Sequence, residues 1–292
     1  MKFLNPANFL DLSDTTAIIT GGAGMLGRQY TAALLKCGSN VIILDNKSSK
    51  KNLVTLLKKE SKLDEKKLSR LTLVKCDITD YREVKKTFTS LRDSLKNLKI
   101  LVNNASLVKQ VKKNSDLINA YKPFLKMIPK DWEDYFSIDL TGTLLVTQHS
   151  IPYMQKNGGG SIINISSTYG ILSPDQSLYD FFNKNLTIKQ KKTGTIIEKP
   201  IGYSISKSGI LNLTRFIATK FAHDKIRVNT LTLGGVYDKN PQQFVKAYSK
   251  KTPLNRMAQR EEYIGPLLFL ASDMSSYMTG SNLIVDGGWS AW

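Results

Sequence analysis

The 292-residue chain has only two cysteines, Cys37 and Cys76, too few for a disulfide framework. No apolar run approaches the roughly 18 residues of a membrane span. The opening residues, MKFLNPANFLDLSD, hold neither a sustained apolar core nor a small-residue cleavage site. Export and membrane insertion are therefore not expected, and the two thiols are expected to be reduced in a cytoplasmic protein. Zinc-ligand spacing is missing, so no metal site is expected, and there is no aromatic RNA-binding signature. Acidic residues are also scarce: 24 Asp plus Glu face 42 Lys plus Arg, a net charge of +18. Such an excess can steer polyanions, but here it is spread along the chain instead of gathered in one Arg-rich block. It reads as a solvated lysine-rich surface, to which an anionic substrate is a lesser contributor. Neither nucleic acid nor membrane is expected as a partner.

What is present is ordinary for a globular protein with a sizeable core: 41% hydrophobic and 23% charged residues. No repeat, low-complexity tract or linker divides the chain, so residues 1–292 are expected to form one domain. Short buried-strand runs stand at TAIIT (Thr16–Thr20), VIIL (Val41–Leu44), LTLVKC (Leu71–Cys76), ILVN (Ile100–Asn103), SIINI (Ser161–Ile165), RVNTL (Arg227–Leu231) and NLIV (Asn282–Val285). Helical spacing is predicted over Arg28–Cys37, Arg82–Leu95, about Trp132–Gln155 and about Gly202–Phe221. Strands alternating with helices predict an α/β, doubly wound, Rossmann-like parallel sheet of about seven strands with helices on both faces. Two stretches break the rhythm, 107–130 and 171–200, and loops of that length in a compact domain are usually functional or disordered.

Between the first strand and the first helix stands TGGAGMLG (Thr20–Gly27). Gly22, Gly24 and Gly27 match G-x-G-x-x-G, and Asp45 follows 18 residues after Gly27. A strand before, a helix after and an acid at this distance form the context of a dinucleotide site. Small residues let the backbone approach a pyrophosphate, whose charge rests against helix N-terminal amides. Asp45 is suited to accept from ribose hydroxyls and to repel a 2′-phosphate, which favours NAD. Met25 stands where a related pattern has glycine, and we read the loop as a variant cradle.

The stretch YSISK places Tyr203 and Lys207 four apart on a predicted helix, hence on one face, one turn from each other. A neighbouring ammonium favours the phenolate and lowers a phenol's pKa from about 10, which suits Tyr203 to general acid/base work. Ser167, just past a predicted strand, is suited to hold a carbonyl or alcohol oxygen.

On these residues the chain resembles the short-chain dehydrogenase/reductase family, from Thr16 to Gly288. TGGAGMLG, Asp77 in CDIT, Asn103–Asn104–Ala105, SSTYG, YSISK, RVN and VDGGW all match. The resemblance implies hydride transfer between a nicotinamide and a carbonyl or alcohol carbon. It places Ser167, Tyr203 and Lys207 in catalysis, with Asp139 where many members carry an asparagine that holds a relay water. It implies cofactor contacts at Gly21, Gly24, Met25, Leu26, Gly27, Asp45, Asp77, Ile78, Asn104, Lys207 and Val236. Ser106 and Leu233 depart from the family's glycine and proline. Ser167 is preferred to Ser166 because it stands three before Gly170. The resemblance is closest to bacterial members associated with flagellin modification and legionaminic-acid-type sugar biosynthesis.

From this we expect an NAD(H)-dependent oxidoreductase acting on a sugar or sugar derivative, phosphorylated and nucleotide-linked forms included, as a homotetramer or dimer. The alternatives are a 3-oxoacyl-thioester reductase and, from another class, a non-catalytic dinucleotide sensor or scaffold. Ser167 and Tyr203 are 36 residues apart, farther than is usual in the family, so 171–200 is read as an insertion bordering the substrate pocket. Its Tyr179, Phe181 and Phe182 are expected to close over a ligand, and Lys184, Lys189, Lys191, Lys192 and Lys199 to meet an anionic group. A solvated excursion or an oligomer contact is the alternative.

Overall fold

All five residues of TAIIT are buried, as a strand covered on both faces requires. This strand, β1 (Thr16–Thr20), lies inside a seven-stranded sheet in the computed structural model, which describes residues 9–46, 49–107 and 123–292. The others are β2 (Asn40–Asp45), β3 (Leu71–Lys75), β4 (Leu98–Asn103), β5 (Gly160–Ser167), β6 (Ile226–Leu233) and β7 (Asn282–Val285). They pair in parallel in the order β3-β2-β1-β4-β5-β6-β7. The order turns back between β1 and β4, and at such a switch point a crevice opens beyond the carboxyl ends of the strands.

Successive side chains of a strand point to opposite faces, and here the pleat divides the core in two. Ile19, Ile43, Val102, Ile163 and Leu231 join one cluster; Ile18, Ile42, Leu101, Ile162 and Val228 join the other. The first is covered by α1 (Met25–Lys36) and α2 (Lys50–Ser61). After the one-turn α3 (Glu65–Leu68), the helices α4 (Tyr81–Ser90), α5 (Pro129–Phe136), α6 (Thr143–Lys156), α7 (Asp180–Lys184), α8 (Ile188–Lys192), α9 (Ile201–Lys220), α10 (Gln242–Lys251) and α11 (Ile264–Ala271) follow. Buried residues of α4, α6 and α9 form the second cluster, and those of α11 join the first.

The seven strands stand where the apolar runs predict them. The predicted helix over Arg82–Leu95 ends at Ser90; Leu91 and Leu95 remain in the core from turns. Helices α2, α10 and α11 have no counterpart in the sequence reading. The predicted helix near 132–155 is α5 and α6 joined by a π-helical turn, Ser137–Gly142. Most of the irregular stretch 107–130 (residues 108–122) lies outside the described residues.

The segment 171–200 is built of short turns and helices with a core of their own. Leu178, Tyr179, Phe182, Leu186 and Ile197 pack with Tyr248, Met257 and Trp289. Two amide side chains stand in for a neighbouring strand. Asn183 Oδ1 accepts from Ile197 N at 2.7 Å while its Nδ2 donates to Ile197 O at 2.9 Å. Gln176 Oε1 accepts from Lys199 N at 2.9 Å while its Nε2 donates to Lys199 O at 3.3 Å. Among the described residues no helix is long and apolar enough to cross a membrane, and no cluster of His, Cys, Asp and Glu is suited to a metal.

Candidate active site

The glycine turn joins β1 to α1, and backbone crowding explains its composition. A Cβ on Gly27 would lie 2.2 Å from Gly21 O, one on Gly22 2.7 Å from Ile43 Cγ1, and Gly21 has φ +62°. The turn folds onto the start of α1, whose N-cap, Gly24, offers no side-chain cap. First-turn amides of a helix lack intrahelical partners and favour an anion. Met25 and Leu26 open α1, and Leu26 packs against the core. Asp45, at the end of β2, turns to the loop and its Oδ2 accepts from Ala23 N at 3.3 Å. The cradle is also held from β4: Asn104 Nδ2 donates to Thr20 O and Gly21 O, both at 3.0 Å. The Thr20 hydroxyl accepts from the backbone N–H of Asn104 and Ala105 at 3.0 Å each. The Asn104 side chain therefore shapes the turn. Asp77 Oδ1 caps its own loop through Thr79 N and Oγ1 (2.9 and 2.8 Å), and Ile78 is buried beside Gly142. Val236 follows β6 and bridges to Ala258.

The second group gathers around α9. Lys207 is buried; its Nζ donates to Ile165 O of β5 at 3.1 Å and lies 3.8 Å from Asp139 Oδ2. Asp139 sits in the π turn, a geometry often found at functional sites, and is 1% exposed. Its Oδ2 accepts from Ser206 Oγ at 2.6 Å, whereas Oδ1 is buried without a hydrogen-bond partner among the described residues. Ser206 escaped the sequence reading although it stands beside Lys207 in YSISK; nothing in that spacing reveals that it turns to Asp139. Tyr203, one turn earlier than Lys207, stands edge-on to Tyr135 with ring centroids 6.4 Å apart.

Hydrogen bonds stitch β5 and its loop to α9, among them the Lys207 bond above, Ser166 Oγ to Lys207 O at 2.9 Å, and Ser208 Oγ to Gly170 O at 2.6 Å. Ser166 is thereby committed to the seam. Ser167 Oγ accepts a 3.3 Å bond from Tyr169 N and donates to none of the described residues, so its hydroxyl hydrogen can serve another oxygen. A buried relay lies behind: Asn103 Nδ2 donates to Thr147 Oγ1 and Asn164 Oδ1, and Asn164 Nδ2 donates to Thr214 Oγ1. It ties β4, β5, α6 and α9 together and fixes the strand ends that carry Ser167 and Asn104.

The segment 171–200 departs from the expectation of an aromatic lid. Tyr179 and Phe182 are buried in its own core, so they are not free to close over a ligand. Lys184, Lys189, Lys191 and Lys192 are exposed, and Lys191 Nζ donates to Lys184 O at 3.2 Å. Lys199 behaves differently. Its Nζ lies 3.9 Å from the centroid of the Tyr203 ring and 5.8 Å from that of Tyr169. Burial first, then the charge of Lys207, push its pKa down to about 8, against an upward pull from Asp139. Burial likewise pushes the Tyr169 phenol well above its ordinary value.

A family model described as short chain dehydrogenase matches residues 15–180, and one described as enoyl-(acyl carrier protein) reductase matches 185–290. The 3-oxoacyl-[acyl-carrier-protein] reductase FabG of Thermotoga maritima is 29% identical over 95% of this chain and 98% of its own. The D-arabinitol 2-dehydrogenase (ribulose-forming) of Candida tropicalis is 28% identical over 96% and 94%. The post-translational flagellin modification protein A of Campylobacter coli is 27% identical over 95% and 99%. Among solved structures, a short chain dehydrogenase from Leptospira borgpetersenii serovar Hardjo-bovis with bound NAD+ superposes with a TM-score of 0.79 at 28% identity, covering 99% of this chain and 97% of that one.

Proposed function

The chain belongs to the short-chain dehydrogenase/reductase family of oxidoreductases, and from that premise we propose that it moves hydride between NAD(H) and an alcohol or carbonyl carbon of a sugar or sugar derivative. The observation that carries the reading is the seam between β5 and α9, which sets Ser167, Tyr203 and Lys207 around one strand end with Lys207 clamped to Ile165 O at 3.1 Å. Bound in the crevice, the nicotinamide supplies the hydride chemistry. Tyr203 Oη takes the alcohol proton in oxidation and returns it in reduction. Ser167 Oγ holds the reacting oxygen. Lys207 supports the phenolate and would hold the nicotinamide ribose.

The cofactor's other contacts fall to the turn residues Gly21, Gly24, Met25, Leu26 and Gly27, and to Asp77, Ile78, Asn104 and Val236. The crowded, side-chain-free turn and the uncapped start of α1 fit a pyrophosphate. Asp45, aimed at the same turn, supports NAD over NADP, as does the NAD+ in the 28%-identical Leptospira structure. The D-arabinitol 2-dehydrogenase relative supports the sugar class. A homo-oligomer fits the apolar side chains left exposed on α6 and α9, Leu144, Ile205 and Phe216. A second reading, reduction of a 3-oxoacyl thioester, is favoured by the FabG relative.

The test is turnover of NAD+ with polyols, aldoses and sugar acids, and of NADH with an acetoacetyl thioester. Each is run with the wild type and Tyr203→Phe. The variant should lose about 10²–10⁴-fold in kcat, the usual worth of general acid/base catalysis, with NAD+ affinity little changed. Retention of more than a tenth of kcat removes Tyr203 from the mechanism, and turnover of the thioester alone selects the second reading.

A further inference from the structure

Two observations at Tyr203 belong together. Asp139 is a buried anion 3.8 Å from the Lys207 ammonium, with 4% and 0% of the lysine and aspartate side chains exposed. At that depth a carboxylate cancels much of the field that Lys207 exerts on its surroundings, because little water screens either charge. Lys207 and Asp139 alone thus present Tyr203 with a nearly neutral pair. Lys199 Nζ stands over the same ring, 3.9 Å from the centroid, while Lys207 Nζ stands 5.9 Å away.

We propose that Lys199 is a positioning residue for the reaction: carried in by the segment 171–200, it restores at Tyr203 the positive charge that Asp139 withdraws from Lys207. The inference rests on Tyr203 being the acid/base. The balance of the three groups is one net positive charge, the field a phenol needs from its neighbours to ionise more easily. The backbone of Lys199 is held at both its N–H and its C=O by Gln176, so the ammonium is delivered from a fixed point.

Among the described residues, the titratable groups set around Tyr203 include Lys207 from its own helix, Tyr135 from α5, Tyr169 from the loop after β5, and Lys199, with Asp139 of the π turn beside Lys207. Of the other charged groups nearby, Lys130 pairs with Asp134, Asp131 accepts from Ile128 N, Glu198 accepts from Phe124 N, and Glu133 is exposed. Tyr169 is held neutral by burial, which leaves Lys199, Lys207 and Asp139 as the charges to weigh among the described residues. With its pKa near 8, Lys199 is cationic at neutral pH, and a phenolate beneath it favours that charge further, so the two groups titrate as a pair.

The experiment reads Tyr203 directly and needs no substrate. Tyrosinate absorbance is titrated in the full-length protein, and the same protein carrying Tyr203→Phe is subtracted. Lys199→Met should raise the Tyr203 midpoint by about one pH unit, and Asp139→Asn should lower it by a similar amount. The double variant, again with one net positive charge, should return close to the wild type. Lys199→Arg keeps the charge and should hold the midpoint. An unmoved midpoint in Lys199→Met, or a double variant that stays with either single one, overturns the proposal. If Asp139→Asn does not fold, the contrast between Lys199→Met and Lys199→Arg decides alone. The two readings fail separately: an active Tyr203→Phe enzyme refutes the acid/base role, whereas an inactive one with an unmoved Lys199→Met midpoint refutes only the part given to Lys199.

Discussion

Replacing Gly27 with alanine asks the glycine turn a sharp question. The added Cβ would stand 2.2 Å from Gly21 O, 2.7 Å from Gly22 Cα and 2.8 Å from Gly22 C, all backbone atoms with no rotamer to escape into. Gly27 lies within α1, so alanine brings back up to ~1 kcal/mol of helix propensity. Against this, overpacking typically costs about 1–3 kcal/mol, and contacts with backbone belong at or beyond the upper end. A net loss of roughly 2 kcal/mol corresponds to a fall of about 3 °C in Tm for a domain of this size. Gly24→Ala meets only Gly21 O at 3.2 Å and should cost far less. Gly265→Ala, where nothing lies within 4 Å of the new atom, should be neutral or stabilise α11 by up to ~1 kcal/mol. The binding readout is sharper still. A ligand at 100 times its Kd raises stability by about 2.7 kcal/mol, and that NAD+-dependent rise in Tm should vanish in Gly27→Ala while persisting in Gly265→Ala. Thermal melts with and without NAD+, backed by calorimetric titration, measure both. A Gly27→Ala protein that melts with the wild type and keeps its NAD+ shift would refute the reasoning.

Three further outcomes follow from the same geometry. Asp45→Ala should erode the preference for NAD over NADP by roughly tenfold, about 1.4 kcal/mol, read as the ratio of kcat/KM values; an unchanged ratio places Asp45 away from the ribose. Trp289→Ala removes a buried ring stacked 4.4 Å from Tyr248, so it should cost about 3–5 kcal/mol within the satellite core and open 171–200 to limited proteolysis. Equal protease resistance would mean that this core does not hold the segment. Asp175 hydrogen-bonds Lys251 and Ser177, which hold its carboxyl at about 2, below the ordinary 3.8. Its contribution is thus present above about pH 4 and lost as the pH falls through about 2. Both side chains are a third or more exposed, so the effect should stay below ~1 kcal/mol. The urea midpoints of Asp175→Asn and wild type should differ slightly at pH 6 and converge only as the pH falls to about 2; a gap that widens on acidification contradicts the assignment.

What the sequence determined by itself is what short-range physics writes into adjacent residues. Buried parallel strands favour β-branched apolar runs, and TAIIT and VIIL are such runs; the glycine turn and the acid after the second strand are equally local. The four-residue step from Tyr203 to Lys207 places both on one helix face whatever the rest of the chain does. Helices α2, α10 and α11 were less legible, since a helix that rests on its neighbours needs only two or three apolar anchors, such as Leu53 and Leu57 in α2. Contacts between distant segments were decided by the tertiary structure alone. Only the spacing to Gly170 sets Ser167 apart from Ser166 in the sequence; the docking of α9 is what claims Ser166 for its seam. Tyr179 and Phe182 look like lid residues until α10 and Trp289 offer them a core. Lys199 is one lysine among many in its segment, and only the fold, with Gln176 clamping its backbone, sets its ammonium over Tyr203. Charge acts through space at a few ångströms, and which charges come within that range is a property of the folded chain.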